Sequence, residues 1–135
     1  AEGMQWVLEL LPEDAELGGV SDALKHPELV QMAGGSPGAL LFHLRQWSRL
    51  SPDLMKRLNS LPSKPIEALG LARDLTEALD GEQQLWLINW LQQHLWSQQK
   101  DSYCLRRLER LRLQLLSFVQ PRLAWEVAFL DLLGV

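Results

Sequence analysis

Cysteine is almost missing from this sequence: Cys104 is the one thiol in 135 residues. No internal disulfide can form, and a single thiol inside an apolar helical pattern reads as a small core residue in a reducing compartment, with the cytoplasm as the expected location. Tyrosine occurs once, and Val, Ile and Thr are sparse beside Leu, Ala, Gln and Glu, which weighs against sheet and toward helix. Long apolar runs are absent too. The run Leu85-Trp86-Leu87-Ile88 is broken by Asn89, Gln92 and Gln93, far short of the roughly 20 residues a membrane-spanning helix needs, so no membrane partner is expected. There is no basic excess, because 13 Lys and Arg stand against 17 Asp and Glu for a net charge of -4. Such a chain is not built as a whole to neutralise a phosphate backbone, and any nucleic-acid contact must be local. No secretory leader is evident, and the chain opens within an apolar pattern at Met4-Gln5-Trp6-Val7, as expected of a fragment of something longer.

What is present is helical grammar. Trp6, Val7, Leu10 and Leu11 share a face from about Glu2 to Leu11, where Pro12 stops the pattern. A Gly18-Gly19 loop follows, and a second helix near Pro27 carries Leu29, Val30 and Ala33 until Gly34-Gly35. Ser36-Pro37 and Ser51-Pro52 each read as an N-cap followed by a first-turn proline. They launch one helix through Leu40, Leu41, Leu44 and Trp47, and another through Leu54, Met55, Leu58 and Leu61 up to Pro62. Pro65 opens a helix with Ile66, Leu69, Ala72, Leu75 and Leu79 as its apolar stripe. Between Glu82 and Lys100, Leu85, Ile88, Leu91 and Leu95 define one face while Trp86 and Trp90 lie on another, so this helix needs neighbours on more than one side. A Leu105, Leu108, Leu111 and Leu115 stripe follows, opposite Arg106, Arg107, Arg110 and Arg112. After Pro121 the last helix places Leu123, Val127, Leu130 and Leu133 on one face with Trp125 and Phe129 beside it. About seven helices result, with no period of tens of residues that would mark a solenoid. The fold class is all-α.

Catalytic machinery does not emerge from these residues. His26, His43 and His94 are scattered without a partner ligand at metal-binding spacing. No Ser elbow or activated Cys occurs, and Glu13-Asp14 lies in a polar loop where nothing would separate the two pKa values. No catalytic residue, metal or cofactor is expected. The loop Gly34-Gly35-Ser36-Pro37-Gly38-Ala39 precedes a helix N-terminus, where backbone N–H groups can meet an anion, but it lacks the Lys of a phosphate-binding loop. The C-cap of one helix joined to the N-cap of the next accounts for every residue in it. The arginine face is open to three readings: solvated surface, inter-subunit ion pairing, or a local nucleic-acid contact interrupted by Glu109. Six Trp residues are an excess, and Trp86, Trp90 and Trp96 cannot all point the same way on one helix, so at least one is expected to reach a neighbouring domain or chain.

The segment from His26 to Leu41, HPELVQMAGGSPGALL, resembles the lid-domain signature of the delta-prime subunits of the bacterial DNA polymerase III clamp loader. The segment from Val119 to Leu133, VQPRLAWEVAFLDLL, is similar to the closing helix of the same family. The resemblance implies a small helical lid domain over residues 1–47 followed by a helical-bundle collar domain over 48–135, without the nucleotide-binding domain that precedes them in the family. Where ATP-using sister subunits carry a Gly-Ser-Met-Arg turn whose Arg senses phosphate, this chain has Pro37, Gly38 and Ala39. That departure implies a stator that does not hydrolyse ATP. The implied role is to hold the loader together through the collar, with the delta and gamma/tau subunits as partners. The sliding clamp and primed DNA are met only through the complete complex. Residues expected at the subunit interface are Trp86, Trp90, Trp96, Arg106, Arg110, Arg122 and Trp125. A stand-alone helical adaptor unrelated to replication is the alternative, and a nucleic-acid binder using the Arg106 to Arg112 face is a third.

Overall fold

A computed structural model describes residues 26–117 and 119–134. The expected Glu2 to Leu11 helix, Trp6 and the Glu13-Asp14 and Gly18-Gly19 loops lie outside the described residues. Seven helices and no strand are found among the described residues. The chain divides into two compact units, Ala1–Leu50 and Ser51–Val135.

In the first unit, α1 (Pro27–Ala33) starts on a proline, whose missing N–H costs a first turn nothing, and stops where Gly34 enters the left-handed region at φ 58°. Gly35 follows at φ 89°, a second position where a side chain would be strained. Ser36 then turns extended, and its Oγ accepts the Ala39 N–H at 3.2 Å to cap α2 (Pro37–Ser48). The two helices pack together, burying Leu29, Ala33, Leu40, Leu44 and Trp47. The His26 ring lies 4.9 Å from that of Trp47.

The second unit begins with the same grammar: Ser51 Oγ accepts the Leu54 N–H at 3.2 Å, Pro52 occupies the first position, and α3 (Pro52–Asn59) buries Leu54 and Leu58. Leu61 falls beyond the end of α3 instead of inside it, because Pro62 disfavours helical geometry at the residue before it. In α4 (Pro65–Ala78) the buried stripe is Ala68, Leu71, Ala72 and Leu75, continued by Leu79. The expected stripe was rotated: Ile66 is 78% exposed in the first turn, while Ala68 and Leu71 take its place against neighbouring helices. A reciprocal capping box starts α5 (Gly81–Gln99), with the Gln83 N–H donating to Asp80 Oδ1 at 2.8 Å and the Asp80 N–H donating to Gln83 Oε1 at 2.9 Å. Asp101 caps α6 (Ser102–Leu115), and Pro121 opens α7 (Pro121–Leu133), which ends at left-handed Gly134.

Within this unit α3 packs on α4, α4 on α7, α7 on α6 and α6 on α5. The helix α5 is buried almost all round, through Gln84, Trp86, Leu87, Ile88, Trp90, Leu91, His94 and Leu95, as its two apolar faces require. Gln84 and His94 find hydrogen-bond partners inside. Trp125 Nε1 on α7 donates to Gln84 Oε1 at 3.0 Å, and Gln84 Nε2 donates to the Leu79 carbonyl at 3.0 Å. His94 lies flat on Trp90, 4.6 Å between centroids and 13° between planes, with Nε2 2.7 Å from the Asn59 carbonyl. A carbonyl only accepts, so that nitrogen carries the proton.

Candidate subunit interface

The α6–α7 pair is where burial and sequence pattern part company. The two helices run antiparallel on either side of a short connection, and Arg107 ties them near the far end by donating from Nε to Asp131 Oδ2 at 2.6 Å. On α7 the inward residues are Ala124, Trp125, Ala128 and Phe129. The stripe that begins with Leu123 and Val127 faces outward, leaving them 52% and 43% exposed. Leu113 and Leu116 at the end of α6 and Val119 in the connection are exposed as well. Five large apolar side chains are thereby left exposed on one hairpin.

The arginines expected to share one face do not. Successive residues turn by about 100° around a helix, so Arg107 and Arg112 stand about 140° apart. Arg112 is consumed internally: its Nε donates to Glu109 Oε1 at 2.9 Å, and its Nη2 donates to Gln92 Oε1 at 2.9 Å and to Asn89 Oδ1, fastening α6 to α5. That guanidinium, and secondarily Gln92, holds the Glu109 carboxyl below its ordinary 4.5 against a smaller opposing push from desolvation. Arg107 is buried. Only Arg106 and Arg110 present their charge outward, Arg106 leaning on Ser102 Oγ at 3.3 Å and Arg110 standing 3.9 Å from Asp131.

The other residues expected at an interface separate by burial. Trp86, Trp90 and Trp125 are core residues, since α5 and α7 turn those rings into their own bundle. Outward placement of these three is therefore corrected. Trp96, beyond the buried stretch of α5, is 41% exposed beside a cleft it lines with Gln92, Gln93 and Leu105. Arg122 is also on the surface, 4.0 Å from Glu126 one turn on. The reading from spacing missed Leu113, Leu116, Leu123 and Val127. The available signal was that α7 carries two apolar stripes while a helix at the edge of a bundle buries one.

The loop Gly34 to Ala39 forms a turn between α1 and α2 that is accounted for by its own caps, with Ser36 taking the Ala39 N–H. Cys104 is buried, and burial first, then the nearby Asp101 carboxylate, pushes its thiol pKa up, so it stays protonated. His43 is shifted downward, mainly by burial. Among the described residues no group of three His, Cys, Asp or Glu is arranged to hold a metal ion, and no described helix is long and apolar enough to cross a membrane.

Neither a curated protein nor a solved structure matches the chain. A family profile does, from residue 2 to residue 132, and over that span the chain belongs to the family described as cyanobacterial DNA polymerase III delta prime, C-terminal domain.

Proposed function

We propose that this chain is a non-catalytic structural part of the DNA polymerase III clamp loader, holding neighbouring subunits so that the complete complex can load the sliding clamp on primed DNA. In this reading residues 1–47 act as the lid and 48–135 as the collar, with the delta and gamma/tau subunits as partners and ATP hydrolysis left to sister subunits. The division into two compact units near Leu50 supports the assignment. The observation that carries it is the exposed apolar face of the α6–α7 hairpin, Leu113, Leu116, Val119, Leu123 and Val127. A buried Leu contributes about 1.5–3 kcal/mol when removed from water, so leaving several outside favours a protein partner that covers them. The splitting of the arginines between Asp131, the α5 polar network and solvent weighs against a helix that tracks a nucleic-acid backbone.

The test is size-exclusion chromatography with light scattering of this chain mixed with the delta and gamma/tau subunits of its own source. Co-elution is expected for the wild type and loss of it for Leu123→Asp and Val127→Asp. Co-elution that survives both substitutions would move the interface elsewhere, and its absence in the wild type at micromolar concentration would end the assembly reading.

A further inference from the structure

Beside the apolar face lies a half-enclosed cleft of about 320 Å³ lined by Tyr103, Arg106, Arg107 and Arg110. These are successive members of one helical stripe on α6, spaced by three, one and three residues, and the same stripe continues into exposed Leu113. Arg107 and Arg110 share one carboxylate, Asp131, and Arg106 adds a third guanidinium to the lining, in a chain whose net charge is -4. Arg107 is the unusual member. Its side chain is 2% exposed, its Nε is spent on Asp131, and neither Nη1 nor Nη2 has a hydrogen-bond partner among the described residues. A buried guanidinium with two idle nitrogens is costly, and the fork it presents has the geometry of a bidentate carboxylate or phosphate contact.

We propose that this cleft receives the carboxylate of an acidic side chain from a protein partner seated on the adjoining apolar face. The carboxylate meets exposed Arg106 and Arg110 first, and a small shift of those side chains opens the Nη edge of Arg107, with the Tyr103 hydroxyl as a further donor at the rim. Two observations favour protein over nucleic acid as the source. The cleft is a short notch lined by four residues of one helix, not a groove that follows a chain of phosphates, and its stripe continues into exposed apolar Leu113, which a phosphate backbone would not cover. The inference rests on the assembly reading above and adds a polar anchor to it: an Asp or Glu flanked by apolar residues on the partner.

The experiment is an NMR titration of the ¹⁵N-labelled chain, following the arginine Nε–Hε signals. Tetraglutamate, inorganic phosphate and a short single-stranded DNA oligonucleotide are added at matched ionic strength. Expected is a saturable shift of the Arg107, Arg106 and Arg110 signals with tetraglutamate, weakened about tenfold by Arg106→Gln or Arg110→Gln, as loss of a charge-assisted hydrogen bond implies. Absence of a saturable shift, or equal shifts at Arg45 and Arg122, would overturn the site. Tighter saturation by the oligonucleotide or by phosphate would overturn the assignment to a protein carboxylate. The paired Arg106→Gln, Arg110→Gln variant is also taken through the co-elution assay. Unchanged association with Leu123→Asp still disruptive overturns this inference and leaves assembly standing. Tetraglutamate binding by a wild type that meets no loader subunit sinks assembly, and the partner assignment with it.

Discussion

The helices α5 and α7 have similar ingredients and opposite fates. Each carries apolar and aromatic residues around most of its circumference, yet α5 buries nearly all of them and α7 leaves Leu123 and Val127 in water. The difference lies in neighbours. Between Gln84 and Leu95, α5 packs on α6 and is linked by hydrogen bonds to Trp125 of α7 and to the Asn59 carbonyl at the end of α3. The outward stripe of α7 has no such neighbours among the described residues. An apolar stripe therefore says that a helix wants company, without saying whether that company belongs to the same chain.

The sharpest way to break the comparison is Trp90→Ala. Trp90 is fully enclosed and stacked on His94, so the variant should lose about 3–5 kcal/mol of stability, read by urea denaturation, as large aromatic truncations in cores do. A loss below 1 kcal/mol would mean that α5 is not the packed axis described here. Asp131→Ala comes next. It leaves Arg107 buried without its counter-charge, and because Asp131 keeps 31% of its side chain in water the expected loss is about 2–3 kcal/mol, short of that for breaking a fully enclosed pair. Stability unchanged by that substitution would show that water reaches Arg107 freely.

Lys100→Gly sharpens the comparison at the helix ends. Both helices finish in the left-handed region, α7 on Gly134 at φ 75° and α5 on Lys100 at φ 50°. Glycine should recover about 0.5–1 kcal/mol at the second cap, visible as a raised melting temperature. The smallest effect on folding is expected from Leu123→Asp, within about 0.5 kcal/mol as for other surface changes. The same substitution in α5, Leu87→Asp, should prevent folding. A marked destabilisation by Leu123→Asp would show that its stripe is covered from within the chain.

Much of this was legible beforehand. The Ser-Pro starts at Ser36 and Ser51, the Gly34 stop and the Pro121 start are local rules and fell where the residues put them. Faces were harder. Ile66 and Leu69 were placed on the stripe of α4 where Ala68 and Leu71 are buried, because the choice between adjacent faces depends chiefly on α7, which lies more than 40 residues on. The same ignorance sent Trp125 outward and Leu123 inward. For Arg107 the deciding residue, Asp131, is 24 positions on, beyond the reach of any helical spacing rule.

The bond from His94 Nε2 to the Asn59 carbonyl bears on motion as well as on packing. The last carbonyls of a helix lack partners of their own, and the end of α3 is closed by a ring 35 residues away. Along its length, α3 is otherwise held by two buried leucines, Leu54 and Leu58, and by the Arg57–Asp74 pair at 2.8 Å to α4, which keeps the Asp74 carboxyl below its ordinary 3.8. A single pair that keeps a quarter to a third of each side chain in water holds weakly. The segment is therefore a natural first point of local opening: amides of α3 should exchange with solvent while those of α5 remain protected, so that the bundle can loosen at Pro52–Asn59 without unfolding its axis.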